Sequence, residues 1–209
     1  MSQNIAIIMG GYSSEYQISL TSGNVVYNTL LESDFTPYRV HIFKDKWIGF
    51  DKLNNEYPID KNDFSVTIND SKITFDCVFN AIHGAPGENG YIQGYLEMLN
   101  IPHTSCNMFQ AAVTFSKREC LSVLKPYGIK TAKSYFLNAG DPINNDEIIK
   151  QVGLPCFVKA NKAGSSFGVT KVHIKLDLPD AIATAFKEDD EIIIESFLDG
   201  TEVSVGVIT

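Results

Sequence analysis

Ile5-Ala6-Ile7-Ile8-Met9-Gly10-Gly11-Tyr12-Ser13-Ser14-Glu15 is the stretch that decides the fold. Its unbroken apolar run, without polar alternation, suits a strand covered on both faces, as in a parallel sheet. Two glycines end the run, Ser13 and Ser14 can cap a helix, and Glu15 falls in that helix's first turn. Ile18, Val25, Val26 and Leu30 continue at roughly helical spacing, which makes the opening β-loop-α. The pattern then repeats: the apolar run Cys77 to Ile82 leads into the turn-rich His83-Gly84-Ala85-Pro86-Gly87-Glu88-Asn89-Gly90 and a helical stretch from Tyr91 to Leu99. Ligands of open α/β sheets bind beyond the carboxyl ends of the strands, and Glu15 and His83 both fall at such an edge.

Between the two units, Tyr38 to Phe43, Lys46 to Phe50, Phe64 to Ile68 and Lys72 to Phe75 read as short strands and hairpins. Asn107 to Leu124 reads as largely helical, closed by Lys125-Pro126-Tyr127-Gly128. A domain boundary is placed near Phe115, giving residues 1–115 and 116–209. The second part is expected to hold strands over Ser134 to Leu137, Cys156 to Ala160, Val169 to Ile174 and Glu191 to Glu195, with helices over Asp146 to Val152 and Pro179 to Lys187. A last strand is expected over Glu202 to Ile208, and a chain that stops inside it implies an incomplete last domain.

Composition narrows the partners. A net charge of −8, with no long Lys/Arg run, argues against nucleic acid, although a few lysines and backbone N–H groups can still hold a small phosphate. Cys77, Cys106, Cys120 and Cys156 form no C-x-x-C pair and have no histidines at zinc-ligand spacing, so they read as thiols. No apolar run approaches a membrane span or a secretion signal, which makes the cytoplasm the expected compartment.

Four clusters carry possible chemistry. Gly10 to Glu15 does not match a dinucleotide fingerprint, and Glu15 alone reads first as a carboxylate favoured by a helix N-terminus. His83, at a strand end, is either a ligand or a structural hydrogen-bonder. Lys159 runs into the small-residue loop Asn161 to Gly168, whose glycines and serines suit phosphates but equally suit a hairpin. Glu191 to Leu198, with Glu202 beyond, could frame a base and a ribose or be an ordinary sheet strand.

Taken together and in order, Gly10-Gly11 through Glu15 with Ile18-Ser19-Leu20, His83 through Gly90 with Gln93-Gly94, Lys117, Lys159 through Gly168, and Glu195 through Glu202 resemble the D-alanine–D-alanine ligase family of ATP-grasp enzymes. Asn89, Tyr91 and Ala160 depart from the residues common in that family. The resemblance implies a Rossmann-like pre-ATP-grasp domain followed by an α+β ATP-grasp subdomain, and ATP-dependent joining of two D-alanines through an acyl phosphate for peptidoglycan synthesis. It implies that Glu15 anchors the ammonium of the first D-alanine, that His83 positions its carboxylate, and that Ser165 links to Glu15 in holding a lid. Lys117 and Lys159 would contact ATP phosphates beneath the loop of Gly164, Ser165, Ser166 and Gly168. Glu195, Phe197 and Leu198 would frame adenine, and Glu202 would take the ribose.

A homodimer and Mg²⁺ or Mn²⁺ are implied too, with the metal ligands expected beyond Thr209 and residues 1–209 therefore inactive alone. D-alanine–D-lactate and D-alanine–D-serine ligases stay open as alternatives. So does a non-catalytic nucleotide- or amino-acid-binding module, should the gene end at Thr209.

Overall fold

The computed structural model describes residues 2–164 and 166–206. The chain divides into two compact units, one of Met1–Cys120 with Lys162–Phe167 and the other of Leu121–Asn161 with Gly168–Thr209, in each case as far as the described residues go.

The first unit is built on β1 (Asn4–Gly10), which pairs in parallel with β2 (Thr36–Ile42) on one side and β7 (Cys77–Asn80) on the other. Its apolar run is explained by two covered faces. Ala6 and Ile8 pack with Val40, Val78, Ile92 and Leu96, while Ile5, Ile7 and Met9 pack with Leu20, Val26 and Leu30 of α1 (Tyr16–Leu30). The sheet continues through an antiparallel meander of β3 (Trp47–Phe50), β4 (Glu56–Asp60), β5 (Ser65–Ile68) and β6 (Ser71–Ile73), in the order β6-β5-β4-β3-β2-β1-β7. Phe64 is fully buried among Trp47, Phe75 and Tyr95, and truncating such a side chain to Ala typically costs about 3–5 kcal/mol. After β7 come α2 (Tyr91–Met98) and α3 (Met108–Phe115).

The second unit is a four-stranded antiparallel sheet of order β10-β9-β11-β8, made of β8 (Ser134–Asn138), β9 (Cys156–Ala160), β10 (Thr170–Val172) and β11 (Glu191–Ser196). One face is covered by α5 (Asn145–Val152) and α6 (Leu178–Ala185), against which Cys156, Val158, Val172, Ile192 and Ile194 pack. The preceding α4 (Lys117–Leu124) carries the division between the units, at Cys120.

Two expectations are corrected, one is refined and one strand is added. β4 is an added strand with Pro58 inside it; Pro58 faces only Ile48 of β3, and the β5 ladder takes Ile59 and Asp60, so the missing N–H breaks no bond there. The largely helical stretch expected over Asn107 to Leu124 is made of two helices, since Ser116 is extended (φ −87, ψ 107) and its hydroxyl donates to Glu119 at 2.6 Å, restarting the helix at Lys117. Glu15 stands before the first turn of α1, as its cap residue, and neither Ser13 nor Ser14 holds that place. Residues 202–206 join no described strand, so the strand expected over Glu202 to Ile208 is absent there, and its last residues lie outside those described.

His41 on β2 faces the Phe50 ring at 4.5 Å between centroids. Burial, helped by the Arg39 cation and opposed by Glu56, pushes its imidazole down from 6.5 to about 4. The folded chain therefore refuses a proton that the unfolded chain accepts. This contribution to stability is complete above about 6.5 and is lost as pH falls through about 4. Melting curves between pH 7 and 4 should show His41→Phe losing less stability than the unsubstituted chain, and parallel curves would contradict this assignment.

Candidate functional site

In the first unit a buried hydroxyl gathers the loops. Ser19 of α1 is fully buried; its Oγ accepts from Gly10 N at 2.8 Å and donates to Ala81 O at 2.8 Å, tying the ends of β1 and β7 to one helix. The loops that leave those strands then bond to each other, with Tyr12 N donating to Ala85 O at 2.8 Å and Ser13 Oγ to His83 O at 2.8 Å. Gly84 has φ +72, and a Cβ there would stand 2.7 Å from Ser13 Cβ and 3.4 Å from Glu15 Oε2, so only glycine allows the approach.

Glu15 is 3% exposed. Its N–H donates to Ser13 Oγ at 3.2 Å, and its carboxylate lies against Gly164, where a Cβ would be 3.0 Å from Oε2 and 3.2 Å from Oε1. The structure thus brings Gly164, expected over phosphates, to the carboxylate of Glu15. His83 is half-buried, with Nε2 3.2 Å from Ser22 Oγ. Lys117 donates to Ala163 O at 2.7 Å. A cleft of about 470 Å³ is lined by Glu88, Gln93, Cys106, Lys117 and Gly164 among others. Ser166 has φ +63 in the turn closed by Phe167 N donating to Gly164 O at 3.0 Å, and Ser165 lies outside the described residues.

In the second unit, register puts Phe157, Lys159, Lys171 and Glu195 on the sheet face opposite the helices. Lys159 Nζ donates to Glu195 Oε2 at 2.7 Å and stands 5.4 Å from the Phe157 ring centre. Phe197 lies 6.1 Å from Phe157, with Lys171 Nζ 3.9 Å over its ring. A paired Lys and carboxylate beside aromatic faces has the donors, acceptor and flat apolar surface that a purine nucleotide requires. Buried Asn161 donates to Glu191 at 2.7 Å and fixes the exit of β9. Gly168 packs on Glu188 and Ala160, whereas Leu198 is 66% exposed and Glu202 is exposed too.

Ser19, Asn80 and Gln93, which order the first site, carried no assigned role in the sequence; a buried polar side chain becomes visible only once the fold buries it. The Ser116-x-x-Glu119 spacing, by contrast, was a readable helix-start signal. Among the described residues no group of three or more His, Cys, Asp or Glu could hold a metal ion. The described residues therefore do not fit the implied Mg²⁺ or Mn²⁺.

The family model described as the D-ala D-ala ligase N-terminus matches residues 4–106, and that of the D-ala D-ala ligase C-terminus matches residues 123–209. The chain belongs to the D-alanine–D-alanine ligase family. It is 67% identical over 206 residues to a D-alanine–D-alanine ligase of Flavobacterium johnsoniae, covering 99% of this chain and 64% of that protein. Among solved structures it resembles the D-alanyl-alanine synthetase A of Vibrio cholerae (TM-score 0.81, 30% identity), covering 95% of this chain and 60% of that one. It also resembles a D-alanine–D-alanine ligase of Bacillus anthracis solved with ATP (TM-score 0.71, 30% identity), covering 95% and 61%. The chain therefore spans about 64% of the length of its curated ligase relatives. The α/β sheet and the second sheet are those of this ligase family's ATP-grasp fold. No helix among the described residues is long and apolar enough to cross a membrane.

The approach at Gly84 has a direct consequence. Gly84→Ala forces a strained φ and a collision with Ser13. It should destabilise the chain by about 1–3 kcal/mol. Thermal melts check this, and an unchanged midpoint would contradict the packing of the two loops.

Proposed function

We propose that this chain provides the first D-alanine site and the nucleotide site of an enzyme that joins two D-alanines at the expense of ATP, for peptidoglycan synthesis. The observation that carries this reading is Glu15, a nearly buried carboxylate at the shared ends of β1 and β7, packed against Gly84 and Gly164. A buried carboxylate is costly unless a cation or donors meet it, and an amino acid's ammonium is a fitting counter-charge. His83, on the neighbouring loop, would position the carboxylate of the same amino acid.

The chemistry has two steps. The D-alanine carboxylate oxygen takes the γ-phosphoryl group of ATP and ADP leaves; Lys117 and Lys159 would offset the charge on the phosphate oxygens. The amine of the second D-alanine then attacks the acyl phosphate carbon, a tetrahedral oxyanion forms, the amine loses a proton and inorganic phosphate departs. Water would destroy the acyl phosphate, so the segment from Gly164 through Ser165 and Ser166 to Gly168 is assigned the covering role. Glu195, Phe197 and Leu198 are assigned to adenine and Glu202 to the ribose, supported by the aromatic and charged face of the second sheet. Association as a homodimer and a cytoplasmic setting complete the reading, both on family resemblance.

The test is a chimera that continues Thr209 into the remainder of the Flavobacterium johnsoniae relative. It should release phosphate from ATP only when D-alanine is present and should yield D-alanyl-D-alanine, while residues 1–209 alone stay at the blank. A folded chimera that makes no dipeptide would overturn the reading.

A further inference from the structure

The loop that carries His83 and Gly84 is closed on itself. Gly84 O accepts from Gly87 N and from Glu88 N, both at 2.9 Å, and Gly84 N donates to Glu88 Oε2 at 2.8 Å. The Gly87 carbonyl joins this ring to the fold, beside Ala85 O, which accepts from Tyr12 N at 2.8 Å, and Pro86 O, which accepts from Ile92 N at 3.2 Å. Gly87 O accepts from Asn80 Nδ2 at 2.7 Å, at the end of β7, and from Gln93 Nε2 at 2.6 Å, in the first turns of α2. Asn80 is itself held, since its Oδ1 accepts from Ile82 N at 3.1 Å and its Nδ2 also donates to Ser105 Oγ at 2.9 Å. Gly87 cannot be replaced, because a Cβ there would stand 2.4 Å from Ile82 Cβ.

Gln93 is 2% exposed, and its Oε1 has no hydrogen-bond partner among the described residues. A buried amide with an orphaned oxygen is a net cost to stability, and an apolar side chain of the same size would avoid it. Its benefit must then lie in what its donated bond holds. That bond ties the 84–88 ring, which packs Gly84 onto Ser13 and Glu15, to α2.

We infer that Asn80 and Gln93 are positioning residues, which grip the Gly87 carbonyl from both sides and thereby set His83 and Gly84 against Glu15 for recognition of the amino-acid substrate. The inference rests on the function proposed above and identifies what aligns its first substrate site. Neither residue touches the substrate in this scheme; both act through the backbone of the loop.

Gln93→Met keeps the volume, removes the donor and removes the orphaned oxygen. Hydrogen exchange on residues 1–209 reads the grip without any activity: Gly87 and Glu88 amides should exchange at least about tenfold faster in the variant, with Ile7 and Ile8 unchanged. In the chimera, KM for D-alanine at the first site should rise at least about tenfold, with KM for ATP within about twofold and a melting midpoint equal or higher. Asn80→Leu should act in the same direction, and Gln93→Lys, which restores a donor, should recover part of the exchange protection. Unchanged exchange would overturn the grip, and faster exchange with an unchanged KM for D-alanine would overturn its link to recognition. If the unsubstituted chimera makes no dipeptide, the proposed function fails and the exchange result still decides the grip.

Discussion

One hydroxyl, that of Ser19, holds the first site together. Two parallel strands end with an N–H at Gly10 and a carbonyl at Ala81 that their ladders do not satisfy, in a buried place. A serine hydroxyl can donate and accept at once, so one side chain meets both needs and locks the start of α1 over the two strand ends. Ser19 N also donates to Glu15 O at 3.0 Å, so the residue that closes the strands also fixes the turn bearing Glu15. The positions of Glu15, His83 and Gly84 follow from that geometry.

The two units meet different electrostatic demands. Around Glu15 the surroundings are backbone, glycine and serine, which approach a carboxylate closely and bring no fixed cation of their own among the contacts described. In the second unit the charges are already matched, with Lys159 against Glu195 on a face that also carries Phe157 and Phe197. Under the proposed function, a site for an ammonium and a site for a polar, aromatic nucleotide would differ in this way. The first would take its counter-charge from the ligand, and the second could rearrange an internal pair at small cost because both partners are part-exposed.

Much of this was legible in the residues. The run Ile5 to Met9 read as a doubly covered strand because no polar residue interrupts it, and Cys77 to Ile82 with its glycine loop read the same way. What stayed hidden depends on contacts remote in sequence. Pro58 argues against a strand until β3 and β5 show which of its sides is unpaired. Glu15 read in the sequence first as a carboxylate at a helix N-terminus, and its burial against Gly164, about 150 residues away, is visible only in the fold. The family resemblance gave roles to Glu15, His83 and the lysines, whereas the parts that Asn80, Gln93 and Ser19 play emerge only from the hydrogen bonds that the fold completes.

The central claim is that the buried carboxylate of Glu15 is the counter-charge for the substrate ammonium. Steady-state kinetics of Glu15→Gln in the chimera, at saturating ATP and with a melting curve alongside, test it directly. An amide keeps the shape and removes the charge, and breaking one side of a desolvated pair costs about 3–5 kcal/mol. The account predicts a loss of at least about a hundredfold in kcat/KM for D-alanine with an undiminished melting midpoint. Turnover of D-alanine within about threefold of the unsubstituted enzyme would contradict it.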